Sequence, residues 1–249
     1  MAITPPTLTV TEAPQASATP TATPRLTETE PAFLPTPEIS LSPTPALLLC
    51  SPLAWETIPE LQEIVGDPYK PPPAGREEER HHGVDFSHYA RKGHKSILGE
   101  PIQSTLPGVV AASITGRLPY GNVVIIETDR TMLSKTIIST LEITEEQSLY
   151  VLYAHMDQPP LVSLGEVVNC GQQIGFVGKV GYNVVNEHLH LEMRLGPAGM
   201  KFESMAFYTT DATIEEMEAY KRWRTGGEFR HFDPFRLFNL VMPQPSTGP

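Results

Sequence analysis

The sequence is poor in basic residues, in cysteine and in long apolar runs. Its 249 residues include 18 Lys and Arg against 29 Asp and Glu, a formal net charge of -11. This negative charge disfavours binding to a nucleic-acid backbone, so we exclude nucleic acid as a partner. No window approaches the roughly 20 apolar residues that cross a bilayer. The start, MAITPPTLTV, has neither the basic n-region nor the apolar h-region of a secretory signal.

Aromatic residues are almost absent from the first 45 positions, where Phe33 stands alone among ten Pro and eleven Thr. Such a segment cannot bury enough apolar surface to offset its chain entropy, so residues 1–45 are expected to be a disordered Thr/Pro-rich linker. We expect residues 46–79 to be an N-terminal extension packing on the core, 80–240 to be the folded domain and 241–249 to be a flexible tail. A Thr/Pro-rich tether favours an extracytoplasmic protein, at a cell surface or secreted.

Cysteine occurs twice, as Cys50 and Cys170. An even number of cysteines in an exported protein permits one disulfide, which would tie the N-terminal extension to the domain. Two unpaired buried thiols are the alternative. The sequence leaves both open.

Between residues 80 and 195 the pattern is that of an all-β domain. PIQSTLPGVVAAS, NVVIIET, SLYVLYA and HLHLEMRL are short runs rich in β-formers, separated by Gly, Pro and Asn. The regular glycines of LVSLGEVVNCGQQIGFVG are typical of tight turns, so we predict a small antiparallel barrel or sandwich. Residues 129–147 form a long connection, interpreted as an extended hairpin. A second insertion, 196–230, holds one predicted helix that begins with Thr213 and Glu216 in capping-box spacing.

The histidines fall into two patterns on predicted strands. Side chains two or four positions apart share a face of a strand, so in RHHGVDFSHY His81 and Asp85 share a face while His82 lies on the other. In EHLHLE, His188 and His190 share a face. Zinc binds three or four N, O or S ligands, and two histidines with a carboxylate suit a catalytic site that keeps one position open. The two patterns together predict a metal site, and His155 ends the strand of YVLYAHM.

These motifs resemble the lysostaphin-type, or LytM-like, zinc metalloendopeptidases, which cut peptide cross-links in bacterial cell walls. The resemblance is carried by HHGVD, LPGVV with YGNVVII, YAHM, GEVVNCGQQIGFVG, HLHLE and FDP. It implies a fold like the duplicated hybrid motif, one Zn²⁺ per chain held by His81, Asp85 and His190, and catalytic roles for His155 and His188. Which of these two histidines is the general base stays open. The loop GKVGYNVVNEHLH departs from the usual pattern, with Val180 where the family has Thr.

Three functional classes follow from these patterns. The first is a zinc endopeptidase that hydrolyses peptidoglycan peptides as a monomer outside the bacterial cytoplasm. The second is a catalytically inert LytM-like factor that binds the wall or regulates another hydrolase, although such factors typically lack ligands that are present here. The third is a lipoyl- or biotinyl-type carrier, for which Lys179 lacks the expected flanking residues. We favour the first class.

Overall fold

The computed structural model describes residues 48–242. Within that range the strands are β1 (Val65–Asp67), β2 (Val84–Phe86), β3 (Tyr89–Arg91), β4 (His94–Ser96), β5 (Pro101–Gln103), β6 (Gly108–Arg117), β7 (Gly121–Thr128), β8 (Gln147–Ala154), β9 (Val167–Val168), β10 (Gln173–Phe176), β11 (Leu189–Pro197) and β12 (Arg230–Phe232). The α-helices are α1 (Lys135–Leu141), α2 (Ile214–Arg224) and α3 (Phe235–Phe238), and 3-10 helices span Ile58–Ile64 and Arg130–Met132. The predicted linker over 1–45, and most of the predicted tail over 241–249, lie outside the described residues.

One large antiparallel sheet organises the domain. Seven strands follow the order β1-β2-β11-β8-β7-β6-β9, and β12 pairs with β11 as an eighth. Two ribbons, β10 with β5 and β3 with β4, stand beside it. Every strand pair in the sheet and the ribbons is antiparallel. The predicted all-β, antiparallel class is therefore confirmed.

The central strands bury side chains on both faces, so the sheet separates two apolar cores. In β8, Leu149, Val151 and Tyr153 belong to the larger core, and the alternate residues Tyr150 and Leu152 belong to the smaller one. This follows from the period-2 alternation of a strand. Because both faces of the sheet are buried, other segments of the chain must pack against each face.

The N-terminal extension contributes to the larger core. Leu53, Leu61 and Ile64 are among its buried members. Cys50 and Cys170 are joined by a disulfide across a sequence separation of 120 residues. The extension is thus attached to the sheet by apolar packing and by a covalent bond.

The prediction of an extended hairpin over residues 129–147 is wrong, because the segment folds into a 3-10 turn followed by α1. Ser134 caps α1 by accepting a hydrogen bond from the Ile137 N–H at 3.3 Å. Ile137 and Leu141, four positions apart, are buried on one face of the helix. The β-branched run TIIST suggested a strand, but burial of this i,i+4 pair outweighs the weak intrinsic preference.

The helix predicted in the second insertion is confirmed as α2. The Glu216 N–H donates to Thr213 Oγ1 at 3.2 Å, and the Thr213 N–H donates to a Glu216 carboxylate oxygen at 2.9 Å, which completes the capping box. Tyr220 and Trp223 are buried in the smaller core. The insertion therefore covers the second face of the sheet. Among the described residues, no helix combines the length and the apolar character needed to cross a membrane.

Candidate metal centre and cleft

Strand pairing places Asp85 and His190 side by side. β2 and β11 run antiparallel with Asp85 directly opposite His190. His81 precedes β2 and forms an isolated bridge with Lys70. A bend in the chain before β2, and not a continuous strand, therefore brings His81 beside Asp85 and His190. His81, Asp85 and His190 are brought together as predicted, but the premise that His81 and Asp85 belong to one strand is wrong.

The donor atoms of this group converge. Asp85 Oδ1 lies 3.0 Å from His81 Nε2 and 2.8 Å from His190 Nδ1, and the two nitrogens are 3.0 Å apart. Ligands of a tetrahedral zinc ion at about 2.0–2.2 Å would be separated by roughly 3.3 Å. Among the described residues, these three form the one group of His, Cys, Asp or Glu with spacing suited to a metal.

In His81 and in His190, the ring nitrogen that points away from Asp85 donates its proton to an acceptor, so the other ring nitrogen carries the lone pair in the neutral ring. His81 Nδ1–H donates to the Pro68 carbonyl oxygen at 2.9 Å, and His190 Nε2–H donates to Glu192 Oε1 at 3.0 Å. In their neutral forms the two imidazoles therefore aim lone pairs at the same point as the Asp85 carboxylate. A carboxylate with two imidazole lone pairs is a donor set that zinc prefers, and the residues present fit such an ion.

Electrostatics favours positive charge at this point. Burial alone would raise the pKa of Asp85, but hydrogen bonds from His190 and His81 hold that pKa well below its usual range. For His190, burial opposes protonation, yet Asp85 and Glu192 outweigh it and raise the pKa of the ring to about 9. The carboxylates that favour a proton on His190 would also favour a cation at this position.

His155 enters the cleft from the end of β8. Its backbone adopts φ of 65°, which is uncommon for a residue with a side chain, and its N–H donates to the Tyr120 carbonyl at 3.1 Å. Its Nδ1–H donates to the Val180 carbonyl oxygen at 3.1 Å, which leaves Nε2 with the lone pair. Burial, followed by the charge of His190 and of His188, lowers the pKa of His155 to about 3. His155 is therefore a neutral hydrogen-bond acceptor at Nε2.

His188 has the same arrangement. Its Nδ1–H donates to the Asn186 carbonyl at 2.8 Å, and its Nε2 lies 3.6 Å from Asp85 Oδ2. The rings of His155 and His188 have centroids 4.8 Å apart. Both predicted catalytic histidines thus stand beside the candidate metal centre with Nε2 as the free nitrogen.

The loop that departs from the family pattern supports His155 through its backbone. Val180 contributes its carbonyl oxygen, so the Val side chain in place of Thr does not alter this hydrogen bond. Gly181 follows, and a Cβ there would stand 2.5 Å from His155 Nδ1 and 2.7 Å from the Pro119 carbonyl oxygen. Only glycine allows the loop to pass this close to the imidazole.

His82 lies apart from the three converging residues. Its side chain is fully buried, its Nε2–H donates to the Glu79 carbonyl at 3.2 Å, and its Nδ1 accepts from Arg194 Nη2 at 2.9 Å. Burial, together with the charge of Arg224, lowers its pKa to about 3, so it is neutral. Gly83, the next residue, allows two strands to pack closely. A Cβ there would meet the Leu191 carbonyl oxygen at 2.3 Å, so Gly83 permits close approach of β11.

Two adjoining cavities meet at the site. One, of about 280 Å³, is walled by tyrosines and Pro119, and another of about 260 Å³ extends past Asn186 and Tyr89. Asp85, Asn183 and His188 line both. The candidate metal centre therefore lines the first cavity with all three of its residues and the second cavity with Asp85.

The sequence patterns missed two charged residues behind the site, Glu192 and Arg194. Both continue the alternation of His188 and His190 along β11, and both are fully buried. The alternation in HLHLEMR was the available signal, but an exposed polar face would give the same pattern. Only the packing of α2 over this face distinguishes a buried row of charged residues from an exposed one.

Comparison with known proteins supports the resemblance. Residues 133–201, less than half of the chain, match the model of Peptidase family M23. The matched segment includes His155, His188 and His190 and excludes His81 and Asp85. The similarity to this peptidase family that the motifs indicated is thereby confirmed. A search of curated proteins found no match.

Solved structures of similar proteins include peptidases of this family. A mutant catalytic domain of the prophage-encoded M23 protein EnpA from Enterococcus faecalis is 23% identical over 56% of this chain and 87% of that one, with a TM-score of 0.37. The catalytic domain of the antimicrobial peptidase lysostaphin from Staphylococcus simulans is 22% identical over 56% and 86%, with a TM-score of 0.37. A zinc-containing peptidase from Vibrio cholerae is 23% identical over 53% and 33%, with a TM-score of 0.36. At these values no activity follows from the likeness.

Proposed function

We propose that this protein is a zinc-dependent endopeptidase that hydrolyses peptide bonds of bacterial cell-wall peptidoglycan. The observation that carries the proposal is the convergence of His81 Nε2, Asp85 Oδ1 and His190 Nδ1 within 3.0 Å of one another, on the floor of a cleft. The match of residues 133–201 to Peptidase family M23 supports the reaction class.

His81, Asp85 and His190 would hold the zinc ion. Bound there, zinc would supply a Lewis acid that polarises the scissile carbonyl and a water molecule of lowered pKa. The ionised Asp85 offsets part of the positive charge. The outer hydrogen bonds to Pro68 and Glu192 fix which ring nitrogen each histidine presents.

His155 and His188 would transfer the proton of the attacking water. Each gives Nδ1–H to a backbone carbonyl, so each has a lone pair at Nε2 and can accept a proton from the attacking water. Once protonated, either imidazole becomes a donor, able to stabilise the oxyanion or to return the proton to the leaving amine. The hydrogen bonds leave each histidine the free Nε2 that a base needs, while the lowered pKa of His155 opposes protonation of that ring.

The cleft supports cleavage within a chain. An endopeptidase must accommodate substrate on both sides of the scissile bond, and the two cavities that share Asp85 and His188 in their linings offer space for it. Stacked Tyr182 and Tyr208, with ring centroids 5.2 Å apart, form an apolar wall for an extended peptide. The disulfide between Cys50 and Cys170 is typical of an oxidising, extracytoplasmic compartment, and we propose that the enzyme acts there as a monomer.

The experiment compares wild type with His155→Ala and His188→Ala on purified peptidoglycan, with zinc quantified in parallel. Neither histidine is a proposed ligand, so zinc content should stay the same while turnover falls about 10²- to 10⁴-fold. Loss of zinc in either variant would make that residue a ligand. A zinc-loaded wild type that binds wall preparations without cleaving them would favour the inert LytM-like factor.

A further inference from the structure

A buried polar track runs along β11 behind the candidate metal centre. His190, Glu192 and Arg194 alternate with Leu191 and Met193, and they lie on the face of the sheet that α2 covers. Glu192 and Arg194 are both fully buried. Charged groups are kept in such a place only when they are paired and hydrogen-bonded.

All of the close partners of Glu192 are hydrogen-bond donors. Oε1 accepts from Tyr120 Oη at 2.8 Å and from His190 Nε2 at 3.0 Å. Oε2 accepts from Arg194 Nε at 2.8 Å and from Trp223 Nε1 at 3.1 Å. Both oxygens thus face donors only, an environment that a carboxylate satisfies and an amide does not.

Helix α2 supplies part of this environment. Trp223 donates its indole N–H to Glu192, and its carbonyl oxygen accepts from Arg194 Nη1 at 2.8 Å. Arg224 places Nη1 3.4 Å from Glu192 Oε1. The last turn of α2 therefore contacts the carboxylate directly and also through Arg194.

The hydrogen bond to Glu192 determines which nitrogen of His190 faces the donor group. Both ring nitrogens have a carboxylate beside them, because Asp85 Oδ1 lies 2.8 Å from Nδ1 and Glu192 Oε1 lies 3.0 Å from Nε2. A neutral imidazole has one proton, and with a metal ion at Nδ1 that proton would stay on Nε2, where Glu192 accepts it.

We infer that the inserted helix α2 is a support for the metal centre: it holds Glu192 as a positioning residue that keeps the His190 proton on Nε2 and Nδ1 available to the metal. The inference rests on the proposed zinc site and deepens it. It gives the helix of the second insertion a role in the site.

The substitution Glu192→Gln tests the inference, because the amide has a donor on one side. Arg194 and Trp223 both donate toward Oε2, so the amide oxygen should turn to them and the amide NH₂ should face His190. His190 must then present a lone pair at Nε2 and carry its proton on Nδ1, in competition with zinc. The zinc affinity should fall about 10- to 100-fold.

A spectroscopic signature separates positioning from general damage. In ¹⁵N-labelled wild type, the His190 Nε2–H should give a slowly exchanging, far-downfield proton resonance because it is buried against a carboxylate. Glu192→Gln should lose this resonance. The matched control is Glu127→Gln, a buried carboxylate of β7 that lies two strands from Arg194, in register with it through Tyr150, and whose Oε1 accepts from the Gly199 N–H at 2.6 Å and not from His190. It should keep both the resonance and the zinc affinity.

Trp223→Phe tests whether α2 contributes to zinc affinity, and it replaces Glu192→Gln as the test if that variant fails to fold. It removes one donor to Oε2 and retains an aromatic ring, so zinc affinity should fall by a smaller factor, about three- to tenfold. Unchanged zinc affinity and an unchanged Nε2–H resonance in folded Glu192→Gln would overturn the role of Glu192, and unchanged affinity in Trp223→Phe would overturn that of α2. A wild type that binds no zinc would instead refute the proposed metal site, and the resonance would still report on the His190–Glu192 contact.

Discussion

Adding one methyl group at Gly181 tests whether the position of His155 controls turnover. The Cβ of Gly181→Ala would stand 2.5 Å from His155 Nδ1 and 2.7 Å from the Pro119 carbonyl oxygen. Favourable contacts lie near about 3.5 Å, so the loop or the imidazole must move by about 1 Å. Any such movement strains the adjoining hydrogen bond from His155 Nδ1 to the Val180 carbonyl, which is 3.1 Å long.

The magnitudes follow from this displacement. Overpacking of this kind costs about 1–3 kcal/mol in the free energy of unfolding. A displacement of about 1 Å at a catalytic group can lower kcat about 10²-fold. Zinc content should not change, because the atoms nearest to the added methyl belong to His155 and Pro119 and not to a proposed ligand.

The assay measures peptidoglycan hydrolysis, thermal stability and zinc content of Gly181→Ala. The control is Gly226→Ala. Gly226 lies beyond the end of α2, and the atom nearest to the added Cβ is Arg222 Cα at 3.2 Å. It should retain wild-type turnover. Gly181→Ala with wild-type turnover and intact zinc would refute the reasoning, since it would show that the contact with His155 does not set its catalytic position.

Three further outcomes are expected. Because the pKa of His190 is raised to about 9, zinc must displace a proton from this ring at pH 7, and the apparent Kd for zinc should fall about tenfold per pH unit between pH 6 and 8. A Kd that calorimetry finds to be independent of pH would contradict this. Reducing the bond between Cys50 and Cys170, which closes a loop of 120 residues, should lower the free energy of unfolding by about 4–5 kcal/mol on the chain-entropy model, and an unchanged denaturation midpoint would speak against it. Ser134→Ala should cost about 1 kcal/mol through loss of the α1 cap while hydrolysis is kept, as paired denaturation and activity assays would show.

Local sequence rules predicted the features that depend on alternation. Strand parity predicted a shared face for His188 and His190, and antiparallel pairing of β2 and β11 put Asp85 opposite His190. The expected proximity of His81 and Asp85 is found, but a bend before β2 produces it and not a continuous strand. The helix that begins at Thr213 was predictable as well, because its capping box depends on four consecutive residues.

Other features depend on contacts between distant segments. Glu192 and Arg194 read as the exposed face of a strand until Trp223, about thirty residues further along, covers them. Residues 135–141 read as a strand because of their β-branched side chains, and their burial as a helix depends on the core around them. No local pattern contains that information.

The proposed function depends on one zinc ion held by His81, Asp85 and His190. Zinc per chain, measured by elemental analysis after equilibration with equimolar zinc, tests it most directly on wild type, His81→Ala and His82→Ala. Wild type and His82→Ala should each contain about one zinc ion, and His81→Ala should contain none. Retention of zinc by His81→Ala together with its loss from His82→Ala would contradict it.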